Sequence, residues 1–198
     1  DNQYSLYPLI FQSERRIEMR NYNDKIFQVQ FRTVERFVIH LTFYRELWEC
    51  LDKNKLNNKS EFWAYTTDAH GYKAVILWCM VFGNHGNNEQ THWKKLFTAD
   101  TKNQIEKFRS GLLEYTRLTE NEWKSYQKRM VAFRDKNTAH IEYDSREIFP
   151  KFDTALDVAN FYYKWVKKII YPDGLDVPPF EKTIQSKKSD FKNSALFK

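Results

Sequence analysis

Apolar residues recur near every 3.6 positions from about Lys25 to Leu56, where Ile26, Val29, Val34, Phe37, Val38, Leu41, Tyr44, Leu47, Trp48 and Leu51 mark one face of a long helix. The stretch KNKLNNKS interrupts that pattern, with Asn57 and Asn58 at the turn and Ser60 in position to cap a new helix. From Glu61 to Phe82 the chain reads as a second helix, apolar on nearly all sides toward its end, and therefore the most buried of the set; Gly83 stands where a C-cap would. A polar loop, GNHGNNEQ, leads into THWKKLF, a short helical turn with Thr91 placed to cap and Trp93 and Phe97 to bury. Two further helix starts carry a hydroxyl followed three positions later by an amide or acid, Thr101 with Gln104 and Thr119 with Glu122. They predict helices from about Lys102 to Tyr115 and from Glu120 to Lys136. A last helix runs from Thr154 to about Ile170, capped by Asp153 and stopped by Pro172. No alternating run is long enough for a sheet, and no internal repeat stands out.

The pattern predicts an all-α antiparallel helical bundle of four to five principal helices with irregular N- and C-terminal arms. Residues 1–24 read as an arm or short helix, 25–171 as one helical domain, and 172–198, with prolines among polar residues, as an extended arm. Composition agrees with a compact chain: sixteen Phe, twelve Tyr and six Trp among 198 residues are far more aromatic material than a disordered chain carries. Cys50 and Cys79 form no C-x-x-C pair and lie in apolar stretches, as buried thiols in a reducing compartment do. The longest apolar run, Ala74 to Phe82, is about half a membrane span, so a cytoplasmic protein without a membrane partner is expected.

Charge narrows the search for chemistry. The net charge of +6 is modest, but between Trp123 and His140 five cations, Lys124, Lys128, Arg129, Arg134 and Lys136, face Asp135 alone. A solvated helix face and an anion-binding surface both produce such a segment. No phosphate-binding loop, nucleophile elbow or dinucleotide fingerprint is present. His40 and His70 fall inside helices and read as satisfied side chains, while His85 and His92 read as loop and capping residues. None has a further ligand at metal spacing, so neither a metal nor another cofactor is expected.

What remains is FRDKNTAH, residues 133–140. An arginine and a histidine with four to six residues between them are expected about once by chance in a chain with eleven arginines and five histidines. In a continuous helix the six-residue step is a rotation of about 240°, which puts Arg134 and His140 on different faces. Asn137 and Thr138 are poor helix-interior residues, so the helix is expected to end there and the chain to fold His140 back.

The stretch FRDKNTAHIEYD resembles the signature of the HEPN superfamily, in which an arginine and a polar residue are followed, after three to five more, by a histidine. Together with VFGNHGNNEQTHWKKL upstream, it is similar to the AbiU-type abortive-infection branch, over about Val75 to Asp144. The resemblance implies a metal-independent endoribonuclease acting in phage defence or as a toxin, working as a homodimer with a composite active site. Arg134 and His140 match the motif's arginine and histidine, Asp135 its polar position, and Lys136 and Asn137 its variable interval; with Lys128 and Arg129, the last two are candidates for RNA contact. Chemistry agrees with these roles. A histidine near its usual pKa serves as acid or base for attack by the ribose 2′-hydroxyl, and a planar guanidinium suits the charge that builds on phosphorus. One histidine per motif, where an acid and a base are both needed, is a reason to expect a two-fold dimer.

Two other readings stand beside this one. Arg134 pairs with Asp135 or a neighbouring carboxylate for purely structural reasons and His140 caps a helix end, or the domain is a non-catalytic RNA-binding or scaffold protein in a defence or toxin–antitoxin complex. Tyr143 is a candidate modification site by an antitoxin partner, although it stands three residues after the histidine where the branch usually has two.

Overall fold

The computed structural model describes residues 22–53, 55–57, 59–84, 86, 90–139, 149–170 and 178–194. Among them are six helices: α1 (Asp24–Asp52), α2 (Glu61–Phe82), α3 (Thr101–Thr116), α4 (Glu120–Arg134), α5 (Phe152–Ile170) and α6 (Phe180–Asn193). A 3₁₀ turn spans Trp93–Lys95 and a π-helical turn Asp135–Ala139. The fold is an all-α helical bundle, with a single antiparallel bridge, among the described residues, between Tyr22 and Phe97. No described helix is long and apolar enough to cross a membrane.

α1 and α2 form an antiparallel hairpin, α4 lies on α2, α3 on α5, and α6 on α1. Phe37, Trp78, Phe82, Phe108, Leu112, Met130, Val158 and Tyr162 meet in the centre, all essentially without exposure. α2 supplies Ala74, Val75, Trp78, Cys79, Val81 and Phe82 to this core, so its apolar C-terminal half is as buried as its sequence predicts. Val29 and Trp48 differ from expectation: both are exposed, because α1 turns only the Phe37–Leu41 side inward while the other side faces solvent.

The helix caps divide into those the sequence anticipates and those it does not. Thr119 and Glu122 form the full capping box at the start of α4. Ser60 is the N-cap residue of α2, but its hydroxyl makes no capping hydrogen bond. Thr101 is not a cap: Asp100 takes that place at φ 47°, with its side chain accepting from Asn103 and its carbonyl from the Gln104 amide, which leaves Thr101 as the first helical residue. Asp153 is likewise inside α5, which starts at Phe152, and its carboxylate accepts from Arg45 at 2.6 Å. Gly83 ends α2 with negative φ; the need for glycine is spatial, since a Cβ would come within 2.5 Å of the Cys79 carbonyl oxygen.

The C-terminal segment is a correction. Residues 180–193 are a helix, not an extended arm. Phe180 is buried against Phe31 and Tyr163, and Phe191 joins Leu47, Cys50 and Leu56 in a second small core closing the end of the α1–α2 hairpin. Lys188 adds an ion pair at 2.8 Å to the buried Glu46. The apolar stripe is narrow, Phe180, Ile184 and Phe191, and the preceding prolines open a helix instead of excluding one, with Pro179 as N-cap. The arm expected over residues 1–24 lies almost wholly outside the described residues, as does Pro172.

Candidate functional site

The site grows from α4. Its capping box satisfies two amide donors at the start, and Tyr126, Met130, Val131 and Phe133 form the stripe that buries against the bundle. Phe133 stacks on Tyr72 at 6.0 Å and lies 5.0 Å from Phe149, which clamps the backbone one residue before Arg134. Nearer the start of the helix, Gln127 Nε2 donates to the carbonyl of Phe82 at 2.6 Å and to that of Gly83 at 3.2 Å, tying α4 to the end of α2. Arg134 therefore projects from a helix fixed at both its start and its flank.

At Arg134 the hydrogen-bond pattern changes. The helix does not end at Asn137 and Thr138, as their low helix propensity predicts; it widens into the π-helical turn of Asp135–Ala139. The Asp135 amide still donates to the Val131 and Ala132 carbonyls, the wider spacing comes beyond it, and the Asn137 side chain donates from Nδ2 to the Phe133 carbonyl at 3.0 Å. A π turn changes the angular step per residue, so the 240° offset of an unbroken α-helix does not apply across this segment.

Arg134 Nε and Nη2 both donate to Asp135 Oδ1, at 2.8 and 2.7 Å. The arginine side chain is 17% exposed and the carboxylate 55%, so the cation is held at the edge of the protein by an acid that solvent reaches. Inward of the pair is Cys79, whose thiol burial pushes up to about 12, with Arg134 pulling in the opposite direction; a thiol held this firmly protonated is a packing group, not a nucleophile. Lys128, Arg129 and Lys136 are exposed, Arg129 lying 6.0 Å from the Tyr126 ring, whereas Asn137 is half-buried and engaged with the backbone. The structure thus brings Arg134 and Asp135 together and leaves three of the four RNA-contact candidates on the surface. His140 and Tyr143 lie outside the described residues, and so does His85.

Two further histidine sites do more than their sequence positions suggest. His92 is buried, accepts from the Lys94 amide through Nδ1 at 3.2 Å, and pairs through Nε2 with the Gly83 carbonyl at 3.1 Å, which assigns the proton to Nε2. Its capping role is as expected, but its burial is not; the aromatic residue beside it, Trp93, stacked on Phe108 at 3.9 Å, is the signal that this turn faces inward. His40 and His70, on facing helices, place their Nδ1 atoms 3.0 Å apart, where one ring must donate and the other accept. Burial, with His70, Lys73 and Arg36 adding to it, drives His40 down to about 4, and burial lowers His70 as well. Neutral and mutually satisfied, this pair is structural.

Among the described residues no three His, Cys, Asp or Glu side chains gather as metal ligands would. No protein-family model, curated protein or solved structure matches this chain.

Proposed function

We propose that the chain is a metal-independent endoribonuclease that cleaves RNA by attack of the ribose 2′-hydroxyl on the adjacent phosphate, in phage defence or as a toxin. The observation that carries this reading is the Arg134–Asp135 pair at the start of a π-helical turn, six residues from His140 along the chain and fixed from behind by Phe133. π turns persist at functional sites because they cost helix regularity and re-aim the residues beyond them. A guanidinium whose orientation is set by a neighbouring carboxylate meets the need for a pre-aligned donor fork on a phosphorane.

In the reaction, a base takes the 2′-hydroxyl proton, the oxygen bonds to phosphorus, and the 5′-oxygen leaves with a proton from an acid, giving a 2′,3′-cyclic phosphate and a 5′-hydroxyl. His140 serves in one of these roles and Arg134 stabilises the charge on the non-bridging oxygens, with Asp135 as the positioning residue. A second copy of the chain supplies the complementary histidine across a two-fold axis. The test is incubation of purified protein with mixed RNA in excess EDTA. Cyclic-phosphate ends made by the wild type and absent with Arg134→Ala and with His140→Ala support the reading; cleavage that needs added metal contradicts it.

A second reading is favoured by the same pair. Two hydrogen bonds from Arg134 to its own neighbour are what a purely structural arginine makes, and a non-catalytic RNA-binding or scaffold domain would keep them. RNA binding without cleavage, unaffected by His140→Ala, identifies that case.

A further inference from the structure

Between α3 and α5 runs an open groove of about 780 Å³. Phe161 and Trp165 form its floor, and Tyr115, 38% exposed, stands at one side with its ring 5.9 Å from that of Phe161. Three exposed lysines line it, Lys107, Lys164 and Lys168, against one acid, Glu114. Lys164 Nζ lies over the Tyr115 ring, 4.7 Å from its centre, so a cation is already held at the ring against which a base would stack. The two helices approach closely at Gly111, where a Cβ would come within 3.1 Å of the Phe161 ring.

We propose that this groove binds a single-stranded stretch of RNA, its bases stacking beside Tyr115 and its phosphates on Lys107, Lys164 and Lys168. One exposed tyrosine ring, Tyr115, beside three lysines at a concave surface offers an unpaired strand both a stacking partner and phosphate contacts. A duplex keeps its base faces stacked on one another and presents none to Tyr115. An acidic peptide would use the lysines but gain little from the rings. In naming RNA the proposal rests on the function proposed above, and it adds where the substrate is held. The groove and Arg134 lie toward opposite ends of α5: Phe152 contacts Phe149, the ring that also packs on Phe133, while Lys168 is sixteen residues further on, about 24 Å at 1.5 Å per residue. A strand reaching from one to the other needs about seven nucleotides at a stacked rise of ~3.4 Å.

The experiment is fluorescence anisotropy with a labelled twelve-nucleotide oligouridine, comparing the wild type, Tyr115→Ala and the double variant Lys164→Gln/Lys168→Gln, each checked for an unchanged thermal melt. Binding should weaken about tenfold in Tyr115→Ala, the loss of one stacked base. The double variant should also bind about tenfold more weakly, and its dependence of log K on log salt should flatten by about 1.4, two phosphate contacts at ~0.7 each. Two folded variants that bind as tightly as the wild type overturn the proposal, as does a duplex or a polyglutamate peptide that binds as well as the single strand. The two claims are read separately, binding by anisotropy and cleavage by cyclic-phosphate ends. Loss of oligouridine binding in the groove variants upholds the groove even where the wild type does not cleave RNA; cleavage that depends on Arg134 while the groove variants bind normally removes the groove alone.

Discussion

The C-terminal ends of α2 and α4 are finished in opposite ways. At α2, three carbonyls left over by the helix are taken by side chains from distant segments: Met80 by Thr91, Phe82 by Gln127, and Gly83 by both Gln127 and His92. Every donor there is neutral, and the bonds are buried or part-buried. At α4 the finish is local and charged: Arg134 turns to Asp135, Asn137 turns back to Phe133, and the helix loosens into a π turn at the surface. The first arrangement is what stability asks for, since each of these three carbonyls is matched. The second leaves regular α-helical hydrogen bonding and sets a largely buried cation against an acid that solvent reaches. It is on that contrast that a functional role for the α4 end rests.

The contrast predicts a gradient of stability effects. His92→Ala should cost most, about 3–4 kcal/mol, because it uncovers the Gly83 carbonyl and the Lys94 amide and leaves a cavity under Trp93. Urea denaturation at neutral pH measures it. Tyr162→Phe should cost about 1–3 kcal/mol in the same assay: the Tyr162 hydroxyl donates at 2.9 Å to Gln30 Oε1, whose amide donates to the His92 carbonyl, and removing the hydroxyl strands a buried acceptor.

Protonation of the His40–His70 pair comes next. Both groups have lowered pKa values in the fold, so the pair contributes fully above the ordinary histidine value of 6.5, and its contribution falls as pH drops from there through about 4. Half-burial limits the loss to about 1–2 kcal/mol. A urea titration over this range should show it, and His40→Gln/His70→Gln should flatten it. The smallest effect belongs to the other helix end: Asp135→Ala should cost less than about 1 kcal/mol, since its ion pair is open to solvent on the carboxylate side. An Asp135→Ala loss as large as that of His92→Ala would erase the difference between the two ends.

The sequence exposes what repeats and hides what is local or long-range. α1 to α5 are legible in apolar periodicity, and the Thr119–Glu122 box in its spacing, because both are set within a few turns of chain. α6 is hidden because three apolar residues in fourteen give a stripe that only a partner surface makes meaningful, here the end of the α1–α2 hairpin. The π turn is hidden because Asn137 and Thr138 weaken an α-helix without saying whether it stops or widens; the Phe133 clamp and the Asn137 side chain decide that. His92 reads as a loop residue because nothing in the sequence near it announces that the Gly83 carbonyl needs a donor. The α3–α5 groove joins residues about fifty positions apart, beyond the reach of any local motif.

The central claim is that Arg134 is kept for chemistry and not for the fold, and the most direct test measures both on one variant. Arg134→Ala should unfold within about 2 kcal/mol of the wild type in urea while losing at least about a hundredfold in the rate of metal-free RNA cleavage. A variant that loses several kcal/mol of stability, or one that keeps its fold and cleaves RNA at the wild-type rate, contradicts it.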